Sequence, residues 1–266
     1  MLFSIFLFLL TLILPILVAP LQCYSCTDPI VVNNSVTSET IPSFSQCQLV
    51  IGIQCMIYIH WDLDTNTTSI AVSAIDSITQ NNVLDDTIMP MAFMNIGTNK
   101  NDLLSGHSLL YFCMLSNKCN NNTNLKKILS SLVIEDQFRQ ELSPLLQAVP
   151  SFDPKTAACF DFNNSTNQCS PKDLNHCPRC QTTFNTTNSS STEMCATCPI
   201  DPVNANTILH SVTFSLSNQT KISEYVRLDC QLKGCNSIEN VNRVYNTSII
   251  TFDFHEYFKN LSDLSF

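Results

Sequence analysis

Apolar residues recur along this chain first as a solid block, then with a period of two, then at helical spacing, and finally with a period of two again. The block is Leu2 to Val18, almost entirely Leu, Ile, Phe and Val, broken by Pro15. Further on, Ile51, Ile53, Cys55, Ile57, Ile59 and Trp61 alternate with Gly52, Gln54, Met56, Tyr58 and His60. That alternation in β-branched residues predicts one strand, and Ser69–Ile78 predicts its partner across the polar turn Asp62–Thr68. The pair makes a long hairpin with Asn66 near its tip. The segment Thr79 to His107 follows and carries an apolar cluster, Met89-Pro90-Met91-Ala92-Phe93-Met94. This cluster is expected to be core, packed over the base of the hairpin; a ligand groove is the alternative, because Met-rich surfaces adapt to partners.

The spacing then changes. Leu125, Ile128, Leu129, Leu132 and Val133 share one helical face, with Asn124 as the N-cap, and Phe138, Leu142, Leu145 and Leu146 share another that is rotated from the first. Two short helices meeting near Glu135-Asp136 fit this pattern, with Ser143-Pro144 disturbing the second. The mixed charges Lys126, Lys127, Glu135, Asp136, Arg139 and Glu141 favour a docked spacer over a membrane-surface helix, whose polar face is usually basic. Later, Thr207–Leu216 and Lys221–Leu228 predict a second hairpin turning at Ser217-Asn218-Gln219.

Composition narrows the setting. The chain has 266 residues, enough for two small domains, and carries a formal net charge of −9 with no run of Lys or Arg. Such a surface repels phosphate backbones, which argues against nucleic acid as a partner. With only 4 Gly, many tight turns must fall to Asn, which tolerates the left-handed region.

The leader sets the compartment. Residues 1–20 read as a secretory signal peptide with no basic residue after Met1 and with Ala19-Pro20 at its end; an uncleaved signal anchor is the alternative. The last residues are interrupted by Asp253, His255, Glu256, Lys259 and Asp263, so no lipid anchor is expected. The mature protein is therefore expected to be secreted and extracellular, without a transmembrane span. Glycosylation sequons stand at Asn33, Asn66, Asn121, Asn163, Asn164, Asn185, Asn188, Asn218, Asn246 and Asn260. In an oxidising compartment the 14 cysteines read as disulfides.

The spacing of the first six cysteines carries a resemblance. Cys23-Tyr24-Ser25-Cys26 opens a stretch in which Cys47 leads into the long hairpin, and Cys113-Met-Leu-Ser-Asn-Lys-Cys119-Asn120 closes it. This resembles the three-finger domains of the urokinase-receptor and snake-toxin family, over roughly Leu21 to Asn120. The resemblance implies three β-hairpins radiating from a disulfide palm, with Cys23–Cys55, Cys26–Cys47 and Cys113–Cys119 as bridges. No cysteine lies between Cys55 and Cys113, so one palm bridge usual in that family has no counterpart.

Cys159, Cys169, Cys177, Cys180, Cys195, Cys198, Cys230 and Cys235 belong to a second stretch. Cys177-Pro-Arg-Cys180 and Cys195-Ala-Thr-Cys198 could form a zinc ribbon or, at the first pair, a redox site. A secreted address and the lack of a strand-helix-strand pattern favour bridges instead. Aligned on Cys230-Gln-Leu-Lys-Gly-Cys235-Asn236, this stretch repeats the order of the first. By that analogy the bridges are Cys177–Cys198, Cys180–Cys195 and Cys230–Cys235, leaving Cys159–Cys169.

Motifs for catalysis are missing. There is no nucleophile elbow, phosphate loop or dinucleotide fingerprint. His255-Glu256 begins like a zincin helix, but Lys259 stands where the second histidine would be. Asp85-Asp86 and Glu135-Asp136 read as solvated acids, and the five histidines are scattered. No metal or cofactor is expected.

The expected fold class is mainly β, small and disulfide-rich: a signal peptide (1–20), a three-finger-like β-hairpin module (21–122), a short helical connector (123–155), a second Cys-rich β module (156–240) and a C-terminal tail (241–266). The expected function is non-catalytic binding of an extracellular or cell-surface protein through β-hairpin fingers. A structural or protective glycoprotein without a specific ligand is the alternative.

Overall fold

The computed structural model describes residues 20–76, 86–96, 103–146, 159–164, 179–187, 192–199 and 206–259. The expected leader lies outside them. The described chain is mainly β, antiparallel and disulfide-rich.

The first half contains β1 (Leu21–Ser25), β2 (Ile30–Val32), β3 (Gln48–Gly52), β4 (Gln54–Asp62), β5 (Thr67–Ile75), β6 (Thr87–Ile96) and β7 (Leu103–Cys113). The alternating run read as one strand is in fact two. The chain breaks at Ile53, so that β3 pairs with β1 while β4 pairs with β5 and β7. Gly52 permits the break, because a Cβ there would stand 2.9 Å from the Ala74 side chain. Ile51 consequently leaves the buried phase and is 60% exposed, whereas Cys55, Ile57 and Ile59 are fully buried. Two-residue periodicity continues through a change of sheet, so spacing alone hides it.

After β7 come α1 (Asn122–Ser131), β8 (Leu132–Asp136), α2 (Phe138–Glu141) and α3 (Ser143–Leu146). The expected junction of two helices near Glu135-Asp136 is a strand instead. Val133 and Ile134 are β-branched, as suits a strand, and Leu132–Asp136 pairs with residues 248–252. The N-cap of α1 is Asn121, whose side chain accepts from the Asn124 N–H; Asn124 is its third helical residue and bonds the Cys119 carbonyl. Pro144 opens α3, where a missing N–H costs nothing, and so does not disturb a helix.

The second half contains β9 (Phe162–Asn163), β10 (Cys180–Thr187), β11 (Thr192–Thr197), β12 (Asn206–Ser215), β13 (Thr220–Cys230), α4 (Ile238–Asn246), β14 (Ser248–Phe252) and α5 (Phe254–Phe258). Residues 241–259, read from sequence as a tail, carry most of α4 and all of β14 and α5. They form the counterpart of α1, β8 and α2.

The correspondence between the halves is detailed. Ser237 caps α4 as Asn121 caps α1. Thr247 bonds the Arg243 carbonyl as Ser131 bonds that of Lys127. Gln137 N–H donates to the Thr247 carbonyl, and Asp253 N–H to that of Ser131. These reciprocal bonds are what a two-fold relation between the halves produces at their junction.

The halves share one ten-stranded sheet in the order β2-β5-β4-β7-β6-β12-β13-β10-β11-β9. Its seam is the antiparallel pair β6–β12, with Ile96 opposite Asn206 and Thr87 opposite Ser215. The Met89–Met94 cluster is therefore a central strand and not a cap over the base of the hairpins. Pro90 falls where the register passes from Ser211↔Met91 to Phe214↔Ile88, beside a bulge at Thr213/Phe214. That irregularity is where a residue without an N–H is tolerated inside a sheet. Ile88, Ala92, Met94, Ile208 and Val212 are buried at the seam, which β8 and β14 cover as a second small sheet.

Bridges join Cys23–Cys55, Cys26–Cys47, Cys113–Cys119, Cys159–Cys180 and Cys230–Cys235. Cys159–Cys180 replaces both the expected Cys159–Cys169 and the expected Cys180–Cys195. The analogy was aligned two cysteines late: Cys159 stands for Cys23 and Cys180 for Cys55, each tying the entry of its half to the second strand pair. Cys195 and Cys198 are also bridged. Cys169 and Cys177 lie outside the described residues, and with them the expected Cys177–Cys198 bridge.

Candidate binding cleft

The β4–β5 hairpin ends in a pinned tip. Asp62 accepts from the backbone N–H groups of Asp64 and Thr65 at 2.9 and 3.0 Å. Burial works against the Asp62 charge, but these bonds outweigh it and hold its pKa below the usual carboxylate range. Asn66 takes the left-handed turn position at φ 52°. The β6–β7 hairpin is locked alongside. Leu63 N–H donates to the Ser105 carbonyl, Ser105 N–H donates to Asp64, and Asp64 is ion-paired with Arg139. At Gly106 a Cβ would stand 2.5 Å from the Trp61 carbonyl and 2.7 Å from the Phe93 ring.

The segment 33–38 straps across this tip. Trp61 Nε1 donates to the Val36 carbonyl at 2.9 Å, Thr68 Oγ1 donates to the Asn34 carbonyl at 2.7 Å, and Val36 N–H donates back to Thr68. Opposite the strap stand the last turn of α1 and the strand β8.

Between these walls lies a cleft of about 280 Å³, with Val36, Trp61, Leu63, Leu129, Leu132 and Ile134 as its apolar lining. Ser35, Thr37, Ser38 and His107 supply its polar groups. His107 Nε2 is 2.6 Å from Asp136, which also accepts from the Phe138 N–H. The volume is near the lower end for small-molecule pockets and suits one inserted apolar side chain. No hydroxyl or thiol among the described residues bonds the other ring nitrogen of His107, so the pair fixes β8 against β7 without assembling a nucleophile.

A second polar cluster lies at the seam. His210 Nδ1 is 2.7 Å from Ser248 Oγ, and Nε2 is 2.8 Å from Glu224, which also accepts from Lys221 at 2.9 Å. Serine, histidine and carboxylate stand in the order used for nucleophilic catalysis. Ser248 Oγ, however, also bonds the Val244 carbonyl at 2.8 Å, and both Ser248 and His210 are buried. The arrangement clamps β14 to the central sheet. Burial opposes ionisation of Glu224, but bonds and charge from His210 and Lys221 prevail and bring its pKa down to about 2. Sequence reading missed this cluster because its members are brought together from three strands with no local motif.

The sulfurs of Cys55, Cys113 and Cys119 lie within 4.8 Å of one another, but all three are bridged and offer no thiolate to a metal. Among the sequon asparagines, Asn33, Asn66, Asn163, Asn164, Asn218 and Asn246 are exposed, and Asn121 and Asn185 are half-buried. Asn188 and Asn260 lie outside the described residues. Among those described, no helix is long and apolar enough to cross a membrane.

No family model matches the chain, and neither a curated protein nor a solved structure does.

Proposed function

We propose that this is a secreted, glycosylated, non-catalytic binding protein built from two three-finger-like modules, and that it engages an extracellular or cell-surface protein. The observation that carries the reading is the cleft beside the β4–β5 tip. It carries six apolar side chains among its ten lining residues, is open to solvent and is held by bonds from four separate segments, and a shaped pocket with an apolar floor on a pinned scaffold is what a protein anchor residue fills.

The three-finger reading is supported by the strand order β5-β4-β7 and its counterpart β11-β10-β13, and by one buried asparagine after each closing bridge. Asn120 ties Tyr24 to the strands behind it, and Asn236 does the same for Phe160. The disulfides support an oxidising address.

The test is saturable binding of tagged, secreted protein to intact cells of its own source. Binding is expected to be saturable, to be lost on treating the cells with protease, and to fall sharply in Leu63→Asp, which charges the rim of the cleft at an exposed position. Correctly bridged protein that binds no cell saturably would overturn the reading.

A further inference from the structure

The wall of the cleft formed by β8 is an open sheet edge. The bonds Asp253 N–H to Ser131 carbonyl and Gln137 N–H to Thr247 carbonyl fix the phase of the β8–β14 ladder. Alternation then assigns the backbone groups of Val133 and Glu135 to β14, and turns the N–H and C=O of Ile134 away from it. Among the described residues no other strand pairs with β8, and the Ile134 backbone has no other partner. The free side lies toward β7 and β4, because β14, on the paired side of β8, packs over β12 while β8 itself packs over β6, the neighbour of β7 in the main sheet.

The geometry points to strand addition: an extended segment of the protein partner pairs with β8 at Ile134. The inference rests on the binding reading above and names its contact. The occupant follows from two features. Backbone donors and acceptors left open at a strand's repeat are matched by another extended backbone. A residue paired with Ile134 points to the same face, into the cleft, so it must be apolar. Its neighbour opposite Glu135 points outward, beside an exposed carboxylate that no cation among the described residues pairs with, on a chain of net charge −9. The partner segment therefore alternates apolar with basic residues.

The chain's single tryptophan, Trp61, lines the cleft and reports occupancy. The probe is a blocked hexapeptide alternating Leu and Lys, added to secreted protein freed of N-linked sugar. A saturable change in Trp61 emission is expected. It should vanish when alternate peptide nitrogens are methylated, and weaken roughly tenfold with Glu135→Lys. Equal binding of the methylated peptide, or no saturable change at millimolar peptide, overturns the inference. So does a dimer of the protein alone with the Ile134 amide protected, which would make a second copy the occupant. Cell binding that persists while the peptide fails to bind leaves the general reading standing and removes only the β8 contact. Peptide binding without cell binding does the reverse.

Discussion

Asn120 and Asn236 occupy corresponding corners of the two halves, and each does work that a disulfide cannot. The Asn120 side chain accepts from the Tyr24 N–H at 2.9 Å and donates to the carbonyls of Tyr24, Met56 and Ser73, so one amide joins three strands. Both asparagines are completely buried, so deleting either strands backbone groups without water. Asn120→Ala and Asn236→Ala should each cost roughly 2–4 kcal/mol, read as a lowered denaturant midpoint with bridges intact. A change within about 0.5 kcal/mol, the usual surface effect, would deny the role. Glu224 gives a pH signature. Its folded pKa lies below the ordinary glutamate value of 4.5, so its contribution is complete above that pH and is lost as pH falls toward about 2. Stability should decline across that window, and Glu224→Gln should flatten the decline.

At the scale of elements, the hairpins were legible because alternation and turn chemistry agree. The segments predicted as Ser69–Ile78, Thr207–Leu216 and Lys221–Leu228 correspond to β5, β12 and β13, and Asn66 sits in the turn of the first hairpin. The elements misread are those decided by distant partners. Leu132 and Val133 continue the helical stripe of α1, yet β14 pulls them into a strand. Met89–Met94 reads as an apolar cluster, and only β12 makes it a central strand. The cleft was half legible: Trp61 stands in the alternating run and Leu129 and Leu132 on one helical face, but nothing local places the strap at Val36 against them. The close fit at Gly106 offers a direct check on the packing beside the cleft. Gly106→Ala forces a methyl against the Trp61 backbone and the Phe93 ring and should destabilise by about 1–3 kcal/mol. Phe93→Leu, by relieving the ring contact, should recover part of that loss in a thermal melt.

For the molecule as a whole, the second half is what completes the cleft. β8 belongs to the first half but is held by β14 from the second, where Phe214, Phe254 and Tyr257 meet Phe252 in tilted and edge-on ring contacts. Length and cysteine order suggested two modules joined by a spacer, and the modules themselves were visible as a repeated Cys…Cys-Asn ending. Their fusion into one sheet was not visible, because edge pairing between repeats leaves no periodic mark in either repeat. The binding wall of the cleft therefore depends on β8 being paired on one side only. Residue-resolved amide hydrogen exchange tests this directly. Val133 and Glu135 should exchange slowly and Ile134 and Asp136 fast, with the Ile134 amide becoming protected when the alternating peptide is added. If all four amides are equally protected in the free protein, or all equally fast, β8 is not the half-paired wall of the cleft.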